Sequence, residues 1–286
     1  MCIRDRLDAL AATPRGLYRE QQVTVRRAAV KRLYISCDGI TYRTRYREDD
    51  PAHPGHQRVV YQEMKVGAVF WQDAGGRWHK QSVSGRDDPG RFGLSLWKLA
   101  VECGLLECPE VIFISDGAPW CGTVAELYFR DATRILDWYH LSKHVWDAGR
   151  KLYPQQEGAA ERWVQRCLDH LHEGDGQGLL SHLERCRTAR RESDVTALED
   201  LIDYVRPRVA MTEYRRYRAA GYVIGSGMME STCKQVVGER LKGVGMQWSE
   251  EGAIAMAALV CQRLNGTWRP FWEGRPLQRV AEATAA

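Results

Sequence analysis

Val111-Ile112-Phe113-Ile114-Ser115, read together with the Asp116-Gly117 that follows, decides the fold. Four consecutive apolar residues leave no polar face. The strand they form is therefore buried on both sides, as a central parallel strand is. Asp-Gly then marks the turn out of it. Towards the N-terminus, Lys31–Cys37 (KRLYISC) is a second strand with Leu33 and Ile35 alternating, and it too runs into Asp-Gly, at Asp38-Gly39. Two prolines and several polar residues make 49–57 a loop. Met64–Trp71 and Arg77–Val83 flank the turn at 73–76 and read as a hairpin. Towards the C-terminus the apolar spacing predicts helices over 91–106, 120–129 and 139–153, with a short strand at 133–136. The order of elements is that of an α/β sheet carrying an antiparallel hairpin.

After Pro154 the pattern changes. From Gln155 to about Ala220 no strand spacing occurs, and Trp163, Val164, Leu168, Leu171, Leu179, Leu180 and Leu183 recur at helical intervals among charged residues. A glycine-rich entry, Gly221–Gly227 (GYVIGSG), then leads into a helix over 228–242, with Ser226 as its expected cap. A last helix starts at Ser249, a good N-cap with Glu250 and Glu251 in the first turn, and runs to about Leu264. The chain thus divides into an N-terminal remnant or linker (1–30), a first core segment (31–154), a helical segment (155–220), C-terminal core helices (221–272) and a tail (273–286). The first six residues read as non-structural.

With 286 residues, 44% of them hydrophobic and 27% charged, the chain is long enough to bury a sizeable core. No apolar run approaches the roughly 20 residues of a membrane span, and the N-terminus lacks the apolar stretch of a secretory signal. The nine cysteines are scattered without any Cys-x-x-Cys pair, which fits neither a zinc ribbon nor a disulfide framework. Reduced, buried cysteines in a cytosolic protein are expected. The net charge of +4 says little, but 206–275 holds eleven Lys or Arg against six Asp or Glu, a local excess that suits a phosphate backbone or, equally, a solvated basic surface.

Asp38 and Asp116 are the candidate chemistry. Sites in open α/β sheets form at the C-terminal ends of adjacent strands, and two carboxylates there suit a hard divalent cation. Each Asp-Gly alone is as readily a plain turn. Glu230, in Gly225-Ser226-Gly227-Met228-Met229-Glu230-Ser231, is a third acid, although a first-turn glutamate is also simply a good dipole partner. His140 and His144 lie one helical turn apart, but Leu141 stands where a metalloprotease helix needs Glu, so zinc is disfavoured.

Six segments together resemble the DDE transposases, and specifically the ISKra4-type bacterial insertion-sequence family, which is similar in plan to Mutator-type transposases. They are SCDG around Asp38, EMKVGAVF at Glu63–Phe70, ISDGAPW around Asp116, ILDWYHLSKHVW at Ile135–Trp146, GSGMMEST around Glu230 and ERLKGVGMQWSEEGA at Glu239–Ala253. The resemblance implies a ribonuclease-H-like core interrupted by an all-helical insertion domain. It implies Asp38, Asp116 and Glu230 as a metal-binding triad for Mg²⁺ or Mn²⁺, in all two ions. Asp137 and His140 fall on the C/D-x-x-H motif of related transposases. The implied reaction is strand cleavage at transposon ends followed by strand transfer into target double-stranded DNA, by a homodimer or larger assembly. Lys234, Arg240 and Lys242 are expected to meet phosphates. Trp120 is expected either to stack on an unpaired base or to pack in the core. Another ribonuclease-H-like nuclease, or a truncated or domesticated derivative that binds DNA without cutting it, are the competing readings.

Overall fold

The computed structural model describes residues 30–189 and 195–273. The sequence-based segments 1–30 and 273–286 lie outside these, apart from Val30 and Glu273. Five strands form one sheet: β1 Arg32–Asp49, β2 Gln57–Gln72, β3 Trp78–Gly85, β4 Glu110–Ser115 and β5 Thr133–Leu136. Their order is β3-β2-β1-β4-β5. The β1–β2 and β2–β3 pairs are antiparallel, whereas β1–β4 and β4–β5 are parallel. This mixed α/β arrangement is compatible with a ribonuclease-H-like fold.

β4 lies inside the sheet between β1 and β5, as its unbroken apolar run predicts. The sequence reading of β1 needs correction. The strand does not turn at Asp38-Gly39 but continues for another ten residues beyond Gly39 to Asp49, paired with a β2 that already begins at Gln57. The carboxylate of Glu63, on the neighbouring strand, lies over Gly39 in the space that a Cβ would take. Only the short stretch between Asp49 and Gln57 remains as the connecting turn.

Period-two alternation gives the sheet two dry faces. Leu33, Ile35, Cys37, Val69 and Phe113 project to one side. There they meet α1 (Pro89–Glu102) and α2 (Pro119–Tyr128) through Phe92, Leu96, Trp97, Cys121 and Val124. Asp88 caps α1 by accepting from Gly90 N and Arg91 N, with Pro89 just inside the helix. Gly104, at φ 98°, ends the α1 region before a 3₁₀ turn at Leu105–Glu107.

Tyr34, Met64, Val66, Phe70, Ile112 and Ile114 project to the other face, towards α3 (Trp138–Leu152) and the C-terminal helices. The latter are α8 (Gly227–Cys233) and α9 (Glu250–Leu264). Between them lie α4 (Glu157–His172), α5 (Gly176–Thr188), α6 (Thr196–Val205) and α7 (Tyr214–Ala219), with no strand among the described residues of 155–220. One buried cluster runs without a break from Ile114 and Leu141 to Trp163, Leu171, Leu183, Leu198 and Ile202. The helical segment is thus continuous with the core on this face of the sheet. The helix expected over 228–242 is interrupted, since α8 passes through a π-helical turn at Lys234–Gly238 before a last α-turn at Glu239–Leu241. Ser249 caps α9 as expected, accepting from Gly252 N at 3.1 Å.

Of the cysteines, Cys37, Cys103, Cys121, Cys167, Cys233 and Cys261 are free and buried, and Cys108 and Cys186 are free and half-buried. No helix among the described residues is long and apolar enough to cross a membrane.

Trp163 is 1% exposed and lies where α4 meets the shared core. Trp163→Ala should lower stability by about 3–5 kcal/mol. In urea unfolding, near-UV and far-UV signals should shift together, because the helical segment and the sheet share that core. An unchanged midpoint, or a shift confined to one signal, would count against a shared core.

Candidate active site at the ends of two parallel strands

Parallel pairing of β1 with β4 ends at Ser36 and Ile114. Asp38 and Asp116 each lie two residues further on, which returns both side chains to the face that carries Ile114. Neighbouring strands are about 4.8 Å apart, so the register sets two half-buried carboxylates beside each other. Burial raises the pKa of Asp38, and the charge of Asp116 raises it further. The Gly39 N–H at 2.6 Å and the nearby His140 act in the opposite sense. Asp116 accepts from Ala118 N at 2.9 Å, which shapes the turn into α2.

His140 approaches both carboxylates from α3. Its position is set by Asp137, which is 0% exposed and caps α3. Asp137 accepts from His140 Nδ1, from Ser226 Oγ at 2.5 Å, from Ser226 N at 3.1 Å and from Tyr139 N at 3.1 Å. Burial works against the charged carboxylate, but the hydrogen bonds from His140 and Ser226 prevail and its pKa is lowered. The His140 pKa is raised, first by the bond to Asp137 and then by the charges of Asp137, Asp116 and Asp38, against the opposing effect of burial. Nδ1 is thereby committed to Asp137, and Nε2 is the free nitrogen of the ring.

The glycine-rich stretch has a different task from the one its sequence suggests. Ser226 makes no side-chain cap to α8, and its hydroxyl goes to Asp137 instead. A side chain at Gly225 would strike the ring of Tyr139. The backbone is stitched through Trp138 N to Ile224 O at 3.0 Å and Asp137 N to Ser115 O at 2.8 Å. The ends of β4 and β5 and the start of α8 are thus tied at Asp137, through its backbone N–H to β4 and its buried carboxylate to Ser226.

Glu230 lies on the first turn of α8 and its side chain is exposed. Cys233, one turn later, has Sγ 3.9 Å from Asp38 Oδ2, and its thiol pKa is raised by burial and by the charges of Asp38 and Glu230. The structure therefore brings Asp38, Asp116, His140 and Asp137 together and leaves Glu230 at the rim. Among the described residues no three His, Cys, Asp or Glu side chains stand close enough together to hold a metal ion. Lys234, Arg240 and Lys242 are exposed on α8 and its continuation. Trp120 is half-buried and meets Phe92 edge-on at 5.6 Å, with Lys65 Nζ 5.6 Å from its ring centroid. It packs at the border of the α1–α2 core.

Two residues that sequence reasoning missed clamp the Asp116 turn from the helical segment. Tyr204 donates its hydroxyl to Asp116 O at 2.5 Å. Arg208 donates to Gly117 O from Nε at 2.8 Å and from Nη2 at 2.6 Å. Its guanidinium covers the Tyr204 ring at 4.7 Å, and His144 stacks on that ring at 4.1 Å. Tyr214 and Tyr217 likewise donate to Leu136 O and Arg134 O on β5. The only trace in the sequence is a Tyr and an Arg four apart in a polar helical stretch, which reads equally as a solvated face.

A family model described as "Uncharacterised protein family (UPF0236)" matches residues 11–274. No curated protein matches. Among solved structures, the chain is similar to the Drosophila P element transposase strand transfer complex, with 11% identity and a TM-score of 0.30. The similarity covers 86% of this chain and 66% of that one.

Two outcomes test this geometry. Gly117 has φ 82°, and a Cβ there would collide with Arg208, so Gly117→Ala should destabilise the fold by about 1–3 kcal/mol in chemical denaturation. A neutral result would show that the clamp is loose. The second concerns pH. His140 is raised on folding, so its contribution is complete below the unfolded value of about 6.5 and is lost as pH rises through the folded value. Asp137 is lowered, so the same interaction is present above about pH 3.9 and is lost as pH falls through its folded value. In metal-free buffer, Asp137→Asn should drop the His140 ring pKa in an NMR titration. It should also cost most stability between about pH 4 and 6.5 and less above that window. A His140 pKa unmoved by Asp137→Asn would contradict the coupling.

Proposed function

The chain belongs to the uncharacterised protein family UPF0236, and we propose that it is a DDE transposase of the ISKra4 type, a metal-dependent DNA nuclease and strand transferase. The observation that carries this reading is the side-by-side placement of Asp38 and Asp116 on neighbouring parallel strands, with His140 beside them. Two carboxylates held this close repel each other, and a divalent cation between them relieves the repulsion. The sequence resemblance supplies the substrate.

Asp38 and Asp116 are the pair that would hold a hard cation, and Glu230 would have to turn in from the rim to complete the set. Asp38 and Asp116 offer carboxylate oxygens of the kind Mg²⁺ or Mn²⁺ prefers, and Glu230, at the rim on α8, is the third ligand in this reading. Such ions, when bound, activate the attacking oxygen and neutralise charge that builds on the phosphate. The remaining work falls to the chain's own residues. Asp137 fixes the ring of His140 and keeps its Nδ1 proton in place, so that Nε2 faces the reacting region and can donate to a phosphate oxygen when the ring is charged. Tyr204 and Arg208 hold the backbone of the Asp116 turn. Lys234, Arg240 and Lys242 orient the DNA backbone. Water is the first nucleophile, and the 3′-hydroxyl it releases is the second, so one site serves both steps. The helices between Pro154 and Gly221 are, in this reading, the insertion that separates the second acid from the third. A pair of transposon ends calls for a homodimer or larger assembly. The free cysteines suit the reducing cytosol of a bacterial host.

The exposed side chain of Glu230 favours one competing reading, a derivative that binds DNA without cutting it. Plasmid nicking with Mg²⁺ or Mn²⁺ separates the two. Asp38→Ala, Asp116→Ala and Glu230→Ala should each lose more than the roughly 10–100-fold that outer-shell partners of metal sites are worth, with DNA binding retained. Wild-type binding without nicking would establish the non-cutting reading. Nicking that survives Asp116→Ala would overturn the assignment of the site.

A further inference from the structure

Beyond Asp38, β1 loses its neighbour on the β4 side, because β4 ends at Ser115. That vacated edge is taken by Trp248. Trp248 N donates to Arg43 O at 3.2 Å and Arg45 N donates to Trp248 O at 3.0 Å, a parallel bridge centred on Thr44. The segment just before it, Lys242–Gln247, is folded into a fixed loop. Its base is closed by Trp248 Nε1 donating to Leu241 O at 3.1 Å. Its tip is a tight turn in which Met246 N donates to Gly243 O at 3.1 Å and Gly245 takes φ 77°. A glycine with positive φ at the third position is the requirement of a type II turn. The turn places Val244 at its apex, fully exposed, with Met246 beside it at 41% exposure.

An apolar tip presented by an ordered turn stands here among cations. Arg240 and Lys242 are exposed on the near side, and Arg45 and Arg47 are exposed on the β1 strand to which Trp248 is bonded. Among the nearby acids, Glu48 is already paired with Arg58 at 2.7 Å and Glu250 with Arg86, leaving Glu239, Asp49 and Glu251 as exposed carboxylates. Thr44 is six residues along β1 from Asp38, which is about 20 Å at strand rise and corresponds to about six base pairs of duplex at 3.4 Å each.

We propose that the Gly243–Met246 turn and the Arg45–Arg47 stretch of β1 extend the DNA-contacting surface beyond the cleavage site, from Arg240 and Lys242 outward, with duplex DNA as the occupant. Arg45, Arg47, Arg240 and Lys242 hold phosphates, and Val244 enters the minor groove as an apolar wedge against a base step. This assignment rests on the DNA-cutting reading for its choice of partner. The charge complementarity and the exposed tip carry the location. Rigid attachment to β1, which bears Asp38, and to the continuation of α8, which bears Glu230, keeps the surface in register with the site.

The test is duplex binding by fluorescence anisotropy over a salt series in metal-free buffer, with an Asp116→Ala chain so that no cleavage intervenes. Arg45→Ala with Arg47→Ala should weaken binding at least about 10-fold and reduce the salt slope by about 1.8, the equivalent of two phosphates. Val244→Ala should weaken binding roughly 5–20-fold for the two methyl groups removed while leaving the salt slope unchanged, a split that general loss of fold would not produce. Affinity and slope equal to the parent in both variants, with plasmid nicking by the wild type intact, would overturn the surface and leave the catalytic reading standing. No duplex binding by the parent chain would overturn both. Unchanged DNA affinity with an altered sedimentation coefficient for the Val244 variant would give the turn to a second copy of the chain and overturn the proposal.

Discussion

The parallel pairing of β1 with β4 stops at Ser36 and Ile114, and much of the candidate site follows from where it stops. Two residues later the same period that buries Ile114 delivers Asp38 and Asp116 to one face, partly out of water and within reach of each other's charge. A sheet held together by apolar contacts has no reason of its own to place two acids there. Burial and repulsion both disfavour the doubly charged pair, so the arrangement costs stability unless a cation or a proton offsets it. Unfavourable electrostatics of this kind, concentrated at the ends of two neighbouring strands, mark a functional site more readily than a structural one.

The surroundings act to hold that unfavourable pair in place. Asp137 is completely buried and gathers hydrogen bonds from His140, Ser226 and Tyr139, linking β5, α3 and the start of α8. Tyr204 and Arg208 reach from the helical segment to the carbonyls of Asp116 and Gly117. Removing the helices would therefore do more than expose apolar surface, because it would also leave the turn that carries Asp116 without its external hydrogen bonds. The helical segment supports the site directly as well as extending the core.

Much of this was legible in the sequence wherever the signal is local. The apolar run of β4, the β2–β3 hairpin, the Ser249 cap and the change of character after Pro154 all rest on patterns spanning a few residues. Errors arose where a distant residue decides the outcome. Asp38-Gly39 reads as a turn from its local chemistry, yet pairing with Val66 and Lys65 on the neighbouring strand carries the chain straight through it. Ser226 reads as a helix cap, yet the buried Asp137 takes its hydroxyl. The π-helical turn after Cys233 and the Tyr204–Arg208 clamp have no local signature at all. Asp38, Asp116 and His140 were found from the sequence and lie together in space. Glu230, placed in the same set by resemblance, sits in the first turn of α8 with its side chain in solvent.

The central claim is that Asp38 and Asp116 share one divalent cation. Titration of Mn²⁺ into the full chain, followed by the loss of the free-ion signal in electron paramagnetic resonance, tests it without DNA or turnover. Binding by the wild type that is weakened at least about 10-fold by Asp38→Asn and equally by Asp116→Asn is the predicted result. Binding that either variant leaves unchanged would contradict a shared site.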